Sequence, residues 1–301
     1  MRIVAALGGN ALLERGEKAD SDIQESHVRE AVAALGPLAR DHDLIITHGN
    51  GPQVGLLALE SARDGRLSHP FPFDALGAQT QGMIGYWLAR ELAGTVPGRR
   101  IGCMICQTLI DPGDPAFADP SKFVGPLYTQ AQARALQAQH RWAMRRDGAA
   151  WRRVVPSPEP RELIELPLIQ LLADSGALVV CAGGGGVPVV RDTTGRLRGV
   201  EAVVDKDLTA AVLAGAINAD ALLLLTDVEA VVEEFGTAEA HPIRQGTPAQ
   251  LRALRLPAGS MGPKVEAACR FAETTGRTAA IGRLDQAAAL FAGSAGTVVT
   301  M

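Results

Sequence analysis

Lysine is rare in this sequence, and its placement suggests a site for an anionic ligand. The chain has four lysines, and three of them, Lys122, Lys206 and Lys264, lie in glycine- or proline-rich stretches. Lysine supplies a compact positive charge on a flexible stem, which suits the oxygen atoms of a phosphoryl group. A solvated helix face would not concentrate lysines beside glycines, so we interpret these three as candidate catalytic residues.

The longest glycine run, at 183–186, follows the apolar, strand-like segment 177–182 and precedes a helix start at 205–207. Consecutive glycines cost backbone entropy and contribute no packing, so a chain retains them where the backbone turns sharply or a ligand comes close. A strand that ends in glycines, followed by a lysine at a helix start, is typical of an anion site at the carboxyl edge of a sheet. We therefore predict that Gly184 and Gly185 contact the anion.

Two more strand-like segments, 2–7 and 43–47, also end in glycine-rich loops. A double glycine after a strand fits a tight turn as well as it fits a phosphate-binding loop, so one such unit is weak evidence. Repetition strengthens it, because the loops at the carboxyl ends of parallel strands converge. The candidate substrate contacts in these two loops are Gly8, Gly9, Asn10, Gly49, Asn50 and Gly51.

His48, between the second strand and its loop, has two open interpretations. It could be a turn residue hydrogen-bonded to the backbone, or an acid–base group of the reaction, because imidazole titrates near neutral pH. Asn50 and Gln53, in the same loop and the helix after it, are better placed as neutral hydrogen-bond donors to a small anion.

Strand-like and helical patterns alternate along most of the chain. Apolar stripes of helical period predict helices, and short β-branched runs predict strands. The alternation predicts a doubly wound, three-layer α/β sandwich with a largely parallel central sheet, forming one domain over residues 1–301. The predicted helices are 22–41, 74–94, 129–147, 161–175, 208–216 and 248–254, and the later strands are 101–110, 177–182, 221–226, 278–282 and 296–299.

Residues 111–160 interrupt this alternation. The segment 111–126 is rich in proline, which predicts an irregular loop with Lys122 in the middle of it. We expect the whole interruption to form a small protruding subdomain or lid inserted in the α/β order. A second interruption, at 232–248, is polar and is predicted to be a loop.

Composition excludes several classes of function. The net charge of −4, with no basic run longer than two arginines, gives no nucleic-acid-binding surface. No apolar run approaches the ~18 residues that span a membrane, and no secretory leader is visible, so we expect a cytoplasmic protein. Cys103 and Cys106 form a CxxC pattern inside an apolar run. With no second pair and no histidine nearby, buried strand thiols are favoured over redox or metal chemistry.

Lysines, aspartates and glycine loops are the parts that phosphoryl transfer requires. Negative charge spreads over the oxygens of the transferred group, where point cations and backbone N–H groups stabilise it. Asp207 lies beside Lys206 and could hold the lysines in position. The motifs of P-loop ATPases, protein kinases and dinucleotide dehydrogenases are missing. Because no carboxylate cage is evident, we expect Mg²⁺ to arrive with the nucleotide.

The order of these motifs resembles the carbamate kinases, a family within the amino acid kinase superfamily, over essentially the whole chain. The matching segments are 6–12, 47–55, 81–86, 122–126, 153–158, 183–189, 204–207, 225–228 and 259–264. The resemblance implies reversible phosphoryl transfer between ATP or ADP and carbamate or carbamoyl phosphate, normally run towards ATP synthesis. It also implies a homodimer, Mg²⁺ and a protruding subdomain built from about 111–160.

The resemblance further implies roles for individual residues. Lys206 and Lys264 would contact the transferred phosphoryl group and the nucleotide phosphates, with Asp207 as their organiser. Lys122 would act from the substrate side, and the loops at 8–10 and 49–51 would surround carbamate and the phosphoryl group. The candidate nucleotide contacts are Asp205, Asp227, Met261, Gly262 and Phe235.

Two details refine the match. Many superfamily relatives carry a lysine on the first strand, whereas this chain has Ala5 and Ala6 there, which favours carbamate over acetylglutamate, glutamate, aspartate or UMP as the acceptor. The family usually has a tyrosine-bearing segment near the adenine, where this chain has two glutamates and Phe235 within 232–236. We expect weaker or altered nucleotide affinity from that segment.

The alternatives to a carbamate kinase are a kinase of the same fold for another small acid or phosphate, and a non-catalytic nucleotide-binding relative.

Overall fold

The secondary structure is described for residues 1–14, 16–237, 239–254, 256 and 261–301 of the computed structural model, with the Asn10 side chain left out. The strands in this part of the chain, in order, are β1 (Arg2–Leu7), β2 (Asp43–His48), β3 (Ile101–Cys103), β4 (Gln107–Leu109), β5 (Lys122–Tyr128), β6 (Met144–Asp147), β7 (Ala150–Val155), β8 (Glu162–Leu163), β9 (Leu178–Val180), β10 (Val187–Arg191), β11 (Leu197–Gly199), β12 (Ala221–Thr226), β13 (Val231–Glu233), β14 (His241–Ile243), β15 (Gln245–Gly246), β16 (Thr278–Arg283) and β17 (Thr297–Val299). The α-helices are α1 (Ser21–Asp41), α2 (Gly51–Arg63), α3 (Phe73–Thr95), α4 (Gln130–His140), α5 (Leu166–Asp174), α6 (Lys206–Ala216), α7 (Pro248–Arg252), α8 (Met261–Thr275) and α9 (Ala287–Phe291).

The central sheet has the strand order β15-β17-β16-β12-β1-β2-β9-β3. All of its neighbouring strands run parallel except β16 and β17. In register, Leu7 at the end of β1 lies between His48 of β2 and Leu225 of β12. The carboxyl ends of these three strands are therefore level, and the residues that follow them emerge at one edge of the sheet.

Helices cover both faces of this sheet, because its central strands are apolar on both sides. Val4 and Ala6 of β1 pack in one core with residues of α5, α6 and α8. Ile3, Ala5 and Leu7 pack in the other core, with residues of α1, α3 and α9. The predicted three-layer α/β sandwich with a largely parallel sheet is confirmed. No helix in the described residues is both long enough and apolar enough to cross a membrane.

The excursion after the third predicted strand contains a separate antiparallel sheet, β5-β7-β6, with α4 beside it. We call residues 122–155 the subdomain and the rest of the chain the body. The predicted helix 129–147 was wrong beyond His140, because Arg141 adopts a left-handed conformation that ends α4. Residues 144–147 then form β6, which turns back into β7 through Gly148 at φ 63°. Lys122 begins β5 and does not lie in an irregular loop.

Three other predicted elements were also wrong in part. The strand 101–110 is two strands, β3 and β4, which belong to different sheets. Between them the Gln81 side chain donates to the C=O of Cys106 and accepts from its N–H, each at 3.0 Å, and the same C=O also accepts from the N–H of Val187 of β10 at 2.8 Å. The prediction of buried strand thiols was wrong in part for both cysteines, because Cys106 is buried but outside a strand and Cys103 is on a strand but exposed.

The predicted helix 161–175 begins only at Leu166, because residues 162–163 pair with β4 as β8. Pro167 sits in the first helical turn, where its missing N–H costs nothing. The predicted loop 232–248 contains the hairpin of β13 and β14. Its strands have three residues each, and β14 contains Pro242, so the sequence pattern did not separate them from a loop.

The subdomain rests on α2 of the body through a close contact of two backbones. A Cβ atom built on Gly55 would lie 2.0 Å from the Cα of Gly125 on β5. An apolar cluster that includes Val54, Phe73 and Val124 surrounds the contact. Only glycine at position 55 allows the two elements to approach this closely.

We predict that Gly55→Ala destabilises the protein, because the added methyl group must push β5 away from α2. The expected loss in the free energy of unfolding is about 2 kcal/mol. Gly94→Ala is the matched control, since Gly94 is an exposed position of α3 where an added Cβ would meet no atom within 4 Å. It should be neutral or stabilising by up to about 1 kcal/mol. Urea unfolding of both variants measures the difference, and equal stabilities would contradict the steric argument.

Candidate active site

A cavity of about 220 Å³ lies at the carboxyl edge of the central sheet. Its wall is formed by residues 8–9, 49–52, 122–124, 184, 203–207, 226–227 and 263–264. The ends of β1, β2 and β12, the N-terminal turns of α2, α6 and α8, and the first residues of β5 all contribute to it. The three predicted lysines and the predicted glycine loops thus meet at one place, although they are spread over more than 250 residues of sequence.

Asp207 joins two of the lysines. Its Oδ1 accepts a hydrogen bond from Lys206 Nζ at 2.5 Å, and its Oδ2 accepts one from Lys264 Nζ at 3.1 Å. All three side chains are at most 10% exposed. A carboxylate that uses both oxygens in this way fixes the distance between two ammonium groups, which would otherwise repel each other.

Asp205 holds the third lysine. Its Oδ2 pairs with Lys122 Nζ, and its Oδ1 accepts from the backbone N–H groups of Asp207 (2.9 Å) and Leu208 (3.3 Å). Asp205 is therefore the N-cap of α6 as well as the partner of Lys122. With all groups ionised, the three ammonium groups are balanced by three carboxylates of the cavity wall, those of Asp205, Asp207 and Asp227.

Burial and pairing set the charges of this network. Burial lowers the pKa of Lys206 to about 8, although the Asp207 carboxylate opposes the change. Burial would raise the pKa of Asp207, but the ammonium groups of Lys206 and Lys264 outweigh it and hold that pKa well below its usual range. Burial would likewise lower the pKa of Lys122, and the carboxylate of Asp205 outweighs it and raises that pKa. Lys206 is the member whose charge changes near physiological pH.

The glycine run divides into two kinds of residue. Gly184, at φ 64°, lines the cavity, and a Cβ there would lie 2.2 Å from the amide nitrogen of Asn50. Gly185 lies behind the wall, and its carbonyl accepts hydrogen bonds from Thr108 (2.7 Å) and Thr209 (3.0 Å). The prediction of an anion contact therefore suits Gly184, whereas Gly185 supports the backbone that carries it.

The two other glycine loops pack directly on each other. A Cβ on Gly49 would lie 2.8 Å from the backbone nitrogen of Gly9. The N–H of Gly8 donates to Leu225 at 2.9 Å, and the N–H of Gly49 donates to Leu7 at 3.0 Å. These two amides extend the sheet by one residue, so at these two positions glycine permits close approach of backbones.

Asn50 lines the cavity, and its amide is held by a residue that the sequence analysis missed. Asn50 Nδ2 donates to Thr80 Oγ1 at 2.8 Å, and Thr80 Oγ1 donates to the carbonyl of Gly77 at 2.8 Å. A hydroxyl has one hydrogen, so Thr80 can only accept from Asn50, which fixes the orientation of the amide. Thr80 lies within α3, and no pattern in the sequence marked it as a site residue.

Gln53 does not line the cavity. Its Nε2 donates to Gln24 of α1 at 2.9 Å, and both side chains are buried. The prediction that Gln53 donates to the anion is not supported by this placement. The first helical turn of α2 points Gln53 toward the neighbouring helix, which the sequence pattern of the loop could not show.

His48 is buried, and the geometry favours its structural interpretation. Its Nδ1 donates to the carbonyl of Gly49 at 3.0 Å, and a Cβ on Gly183 would lie 2.3 Å from its ring. Burial lowers the pKa of His48 to about 4, so the ring is neutral at neutral pH. The ring fills the space between β2 and the glycine run and lies outside the cavity wall.

The predicted nucleotide contacts are more dispersed. Asp227 lines the cavity beside Thr226, whose hydroxyl donates to it at 3.0 Å. Met261 and Gly262 begin α8 and lie outside the wall, and Phe235 is 68% exposed in the turn after β13. Glu233, in the segment that departs from the family pattern, pairs with His241 at 3.2 Å. The motif residues Gly259 and Ser260, and the Asn10 side chain, lie outside the described residues.

Comparison with known proteins gives consistent matches. The sequence profile of the Amino acid kinase family matches residues 1–283. A carbamate kinase of Rhizobium meliloti is 48% identical over 303 residues, which cover 100% of this chain and 93% of that protein. A carbamate kinase of Escherichia coli (strain K12) is 46% identical over 299 residues, which cover 99% of each.

Two solved structures extend the comparison to three dimensions. Carbamate kinase from Giardia lamblia bound to citric acid superposes with a TM-score of 0.92 at 37% identity, covering 99% of this chain and 97% of that one. The same enzyme bound to AMP-PNP superposes with a TM-score of 0.90 at 36% identity, covering 99% and 98%.

We predict that anion binding to the cavity weakens as the pH rises through about 8, because Lys206 loses its charge there. Sulfate is a suitable probe, since it resembles a phosphoryl group and does not titrate in this range. Calorimetry should show a dissociation constant that rises about tenfold between pH 8 and pH 9.2. In Lys206→Arg the guanidinium stays protonated, so its profile should be flat. A flat profile in the unmodified protein would contradict the lowered pKa.

Proposed function

This chain belongs to the amino acid kinase family, and on that premise we propose how its site performs its reaction. The activity is that of a carbamate kinase, the reversible transfer of a phosphoryl group between ATP or ADP and carbamate or carbamoyl phosphate. Its full-length matches to carbamate kinases carry this conclusion. A kinase for a different small acid and a non-catalytic relative are not favoured.

The observation that carries the mechanism is the carboxylate of Asp207 between two buried ammonium groups. In the transition state, charge spreads over the three oxygens of the transferred phosphoryl group. Lys206 and Lys264 stabilise that charge from one side of the cavity. Because Asp207 already holds them apart, no reorganisation is needed when the charge develops.

Lys122 acts from the subdomain side, on the oxygen that links phosphorus to the carbamoyl group. In the direction of ATP synthesis, a β-phosphate oxygen of ADP attacks phosphorus in line with that oxygen. The new P–O bond forms as the carbamoyl P–O bond breaks, and carbamate leaves with the electron pair. No covalent enzyme intermediate is required, and positioning and charge stabilisation do the work.

The glycine loops supply neutral contacts around the small substrate. We assign the backbone N–H groups of Gly9, Asn50 and Gly51 as donors to its oxygens, since Gly51 begins α2 and helix N-termini favour anions. Gly8, Gly49 and Gly184 allow the loops that carry these donors to pack closely around the substrate. The Asn50 side chain, fixed by Thr80, is placed to recognise the carbamoyl group.

ATP and ADP are the nucleotide substrates, and a solved relative binds the ATP analogue AMP-PNP. We propose that Mg²⁺ enters bound to the nucleotide phosphates, which supply most of its ligands. Asp227 in the cavity wall is a carboxylate that suits such a complex. The other nucleotide contacts proposed are Asp205, Met261, Gly262 and Phe235, at the start of α6, the start of α8 and the turn after β13.

We also propose a homodimer in the cytoplasm, with the subdomain as a lid over the cavity. Strand β3 is an edge of the central sheet, and next to it α5 exposes Leu168 and Leu171, at 48% and 65%. Such apolar exposure beside an unpaired edge favours association of two copies. The proposal of a lid rests on the position of Lys122, which reaches the cavity from the subdomain.

The decisive experiment is ATP formation from carbamoyl phosphate and ADP in the presence of Mg²⁺. Lys206→Ala, Lys264→Ala and Asp207→Asn should each lower kcat by about 100-fold or more, because each removes charge stabilisation from the transition state. The matched control is Lys18→Ala, since Lys18 is the remaining lysine and is exposed. Its kcat should not change.

Two results would contradict this assignment. A protein that makes no ATP from carbamoyl phosphate, yet uses another acyl phosphate such as acetyl phosphate, would act on a different acid. Near-normal turnover in both Lys206→Ala and Lys264→Ala would show that other residues stabilise the phosphoryl group. Circular dichroism of each variant establishes that the fold is retained.

We predict that Thr80→Val weakens carbamoyl phosphate binding more than ADP binding. Valine keeps the shape of threonine but cannot accept the Asn50 hydrogen bond, so the amide loses its fixed orientation. The expected change is a rise of about tenfold in KM for carbamoyl phosphate, which corresponds to one hydrogen bond. Thr80→Ser keeps the acceptor and should restore most of the affinity. A serine variant as impaired as the valine variant would point to packing instead.

A further inference from the structure

The guanidinium of Arg153 lies between two aromatic rings that belong to different parts of the molecule. Its central carbon is 4.6 Å from the ring centre of Phe73 and 3.9 Å from that of Trp142. Phe73 is the first residue of α3 in the body, whereas Trp142 follows α4 in the subdomain. One planar cation thus joins a ring of the body to a ring of the subdomain.

A carboxylate of the body completes this arrangement. Arg153 Nη2 donates to Glu201 Oε1 at 3.4 Å, and Glu201 Oε2 accepts from the backbone N–H of Phe73 at 2.8 Å. The Arg153 side chain is 13% exposed. Burial lowers its pKa to about 10, which leaves it protonated at neutral pH. The cation is therefore held from three sides.

Strand pairing connects Arg153 to Lys122. Arg153 lies on β7 opposite Val124 of β5, and Lys122 lies opposite Val155 in the same pair of strands. The N–H of Val203 donates to the carbonyl of Pro156 at 3.0 Å, just after β7. The Arg153–Glu201 pair and the Lys122–Asp205 pair thus connect the same two parts of the molecule. One part is the β5–β7 strand pair, and the other is residues 201–205.

Arg153 itself lies outside the cavity wall, so it does not contact the substrate. We propose that Arg153 is a positioning residue for the phosphoryl transfer: by fixing the β5–β7 pair to the start of α3, it sets the place at which Lys122 enters the cavity. The proposal rests on the function given above. A lysine at 153 would keep the charge but lose the flat surface that both rings contact.

The experiment compares Arg153→Lys with the exposed control Arg145→Lys, which lies on the neighbouring strand β6 and pairs with Asp119. Arg153→Lys should lower kcat for ATP synthesis by about tenfold or more, because a small displacement of a catalytic group is costly. KM for ADP should stay within about twofold. Arg145→Lys should behave like the unmodified enzyme.

A double-mutant cycle separates positioning from general stabilisation. If Arg153 acts through Lys122, then Arg153→Lys should lower the residual kcat of Lys122→Ala by no more than about twofold. Trp142→Phe keeps a ring and should retain activity, whereas Trp142→Leu should resemble Arg153→Lys. Thermal unfolding of every variant confirms the fold, and if Arg153→Lys is unfolded, Trp142→Leu takes its place in the cycle.

Three results would overturn the proposal. They are full activity in Arg153→Lys, full activity in Trp142→Leu, and an additive loss in the Lys122→Ala background. An additive loss would mean that Arg153 affects the reaction independently of Lys122. Failure of the proposed function looks different, because the unmodified protein would then make no ATP from carbamoyl phosphate.

Discussion

The buried carboxylate of Asp207 is the constraint on which the site depends. Two ammonium groups, 2.5 and 3.1 Å from its oxygens, could not share a nearly dry space without it. Removing two or three charges from water costs more than their attraction returns in many proteins, so stability alone does not explain such a group. Binding of an anionic phosphoryl group to the two ammonium groups would explain why they are kept there. The helices that carry Lys206 and Lys264 pack together through an apolar core, and Asp207 joins the two lysines at the ends of these helices that face the cavity.

The glycines at the site allow its loops to pack closely against one another. At the carboxyl edge of the sheet, three loops and a helix start converge on a cavity of about 220 Å³. Any side chain at Gly49 or Gly184 would enter the volume of a neighbouring loop or of Asn50. Gly8 and Gly49 do not offer an N–H group to an anion, because both amides already donate within the sheet. The glycines let the backbones come close enough for the few remaining donors to meet one small substrate.

The sequence predicted the parts of this site but not how they are held. Lysines and glycine loops are visible as residue types, and parallel strands bring their carboxyl ends together, so the meeting of Lys206, Lys264 and Gly184 could be foreseen. Thr80 and Arg153 could not, because their roles depend on partners 30 and 80 residues away. The errors in the subdomain have a similar origin. Strand β6 is short and mostly charged, and its pairing with β7 is decided by tertiary contacts that override local pattern.

Asp205 links the subdomain to the body. One of its oxygens caps α6 and the other pairs with Lys122 of the subdomain. The cap is made within the body, so the contacts that hold the start of α6 do not involve the subdomain. The pair with Lys122, in contrast, requires β5 to be seated on α2 at Gly55. The two lysines on Asp207 are therefore held by contacts within the body, whereas the third lysine is placed by the contact between the subdomain and the body.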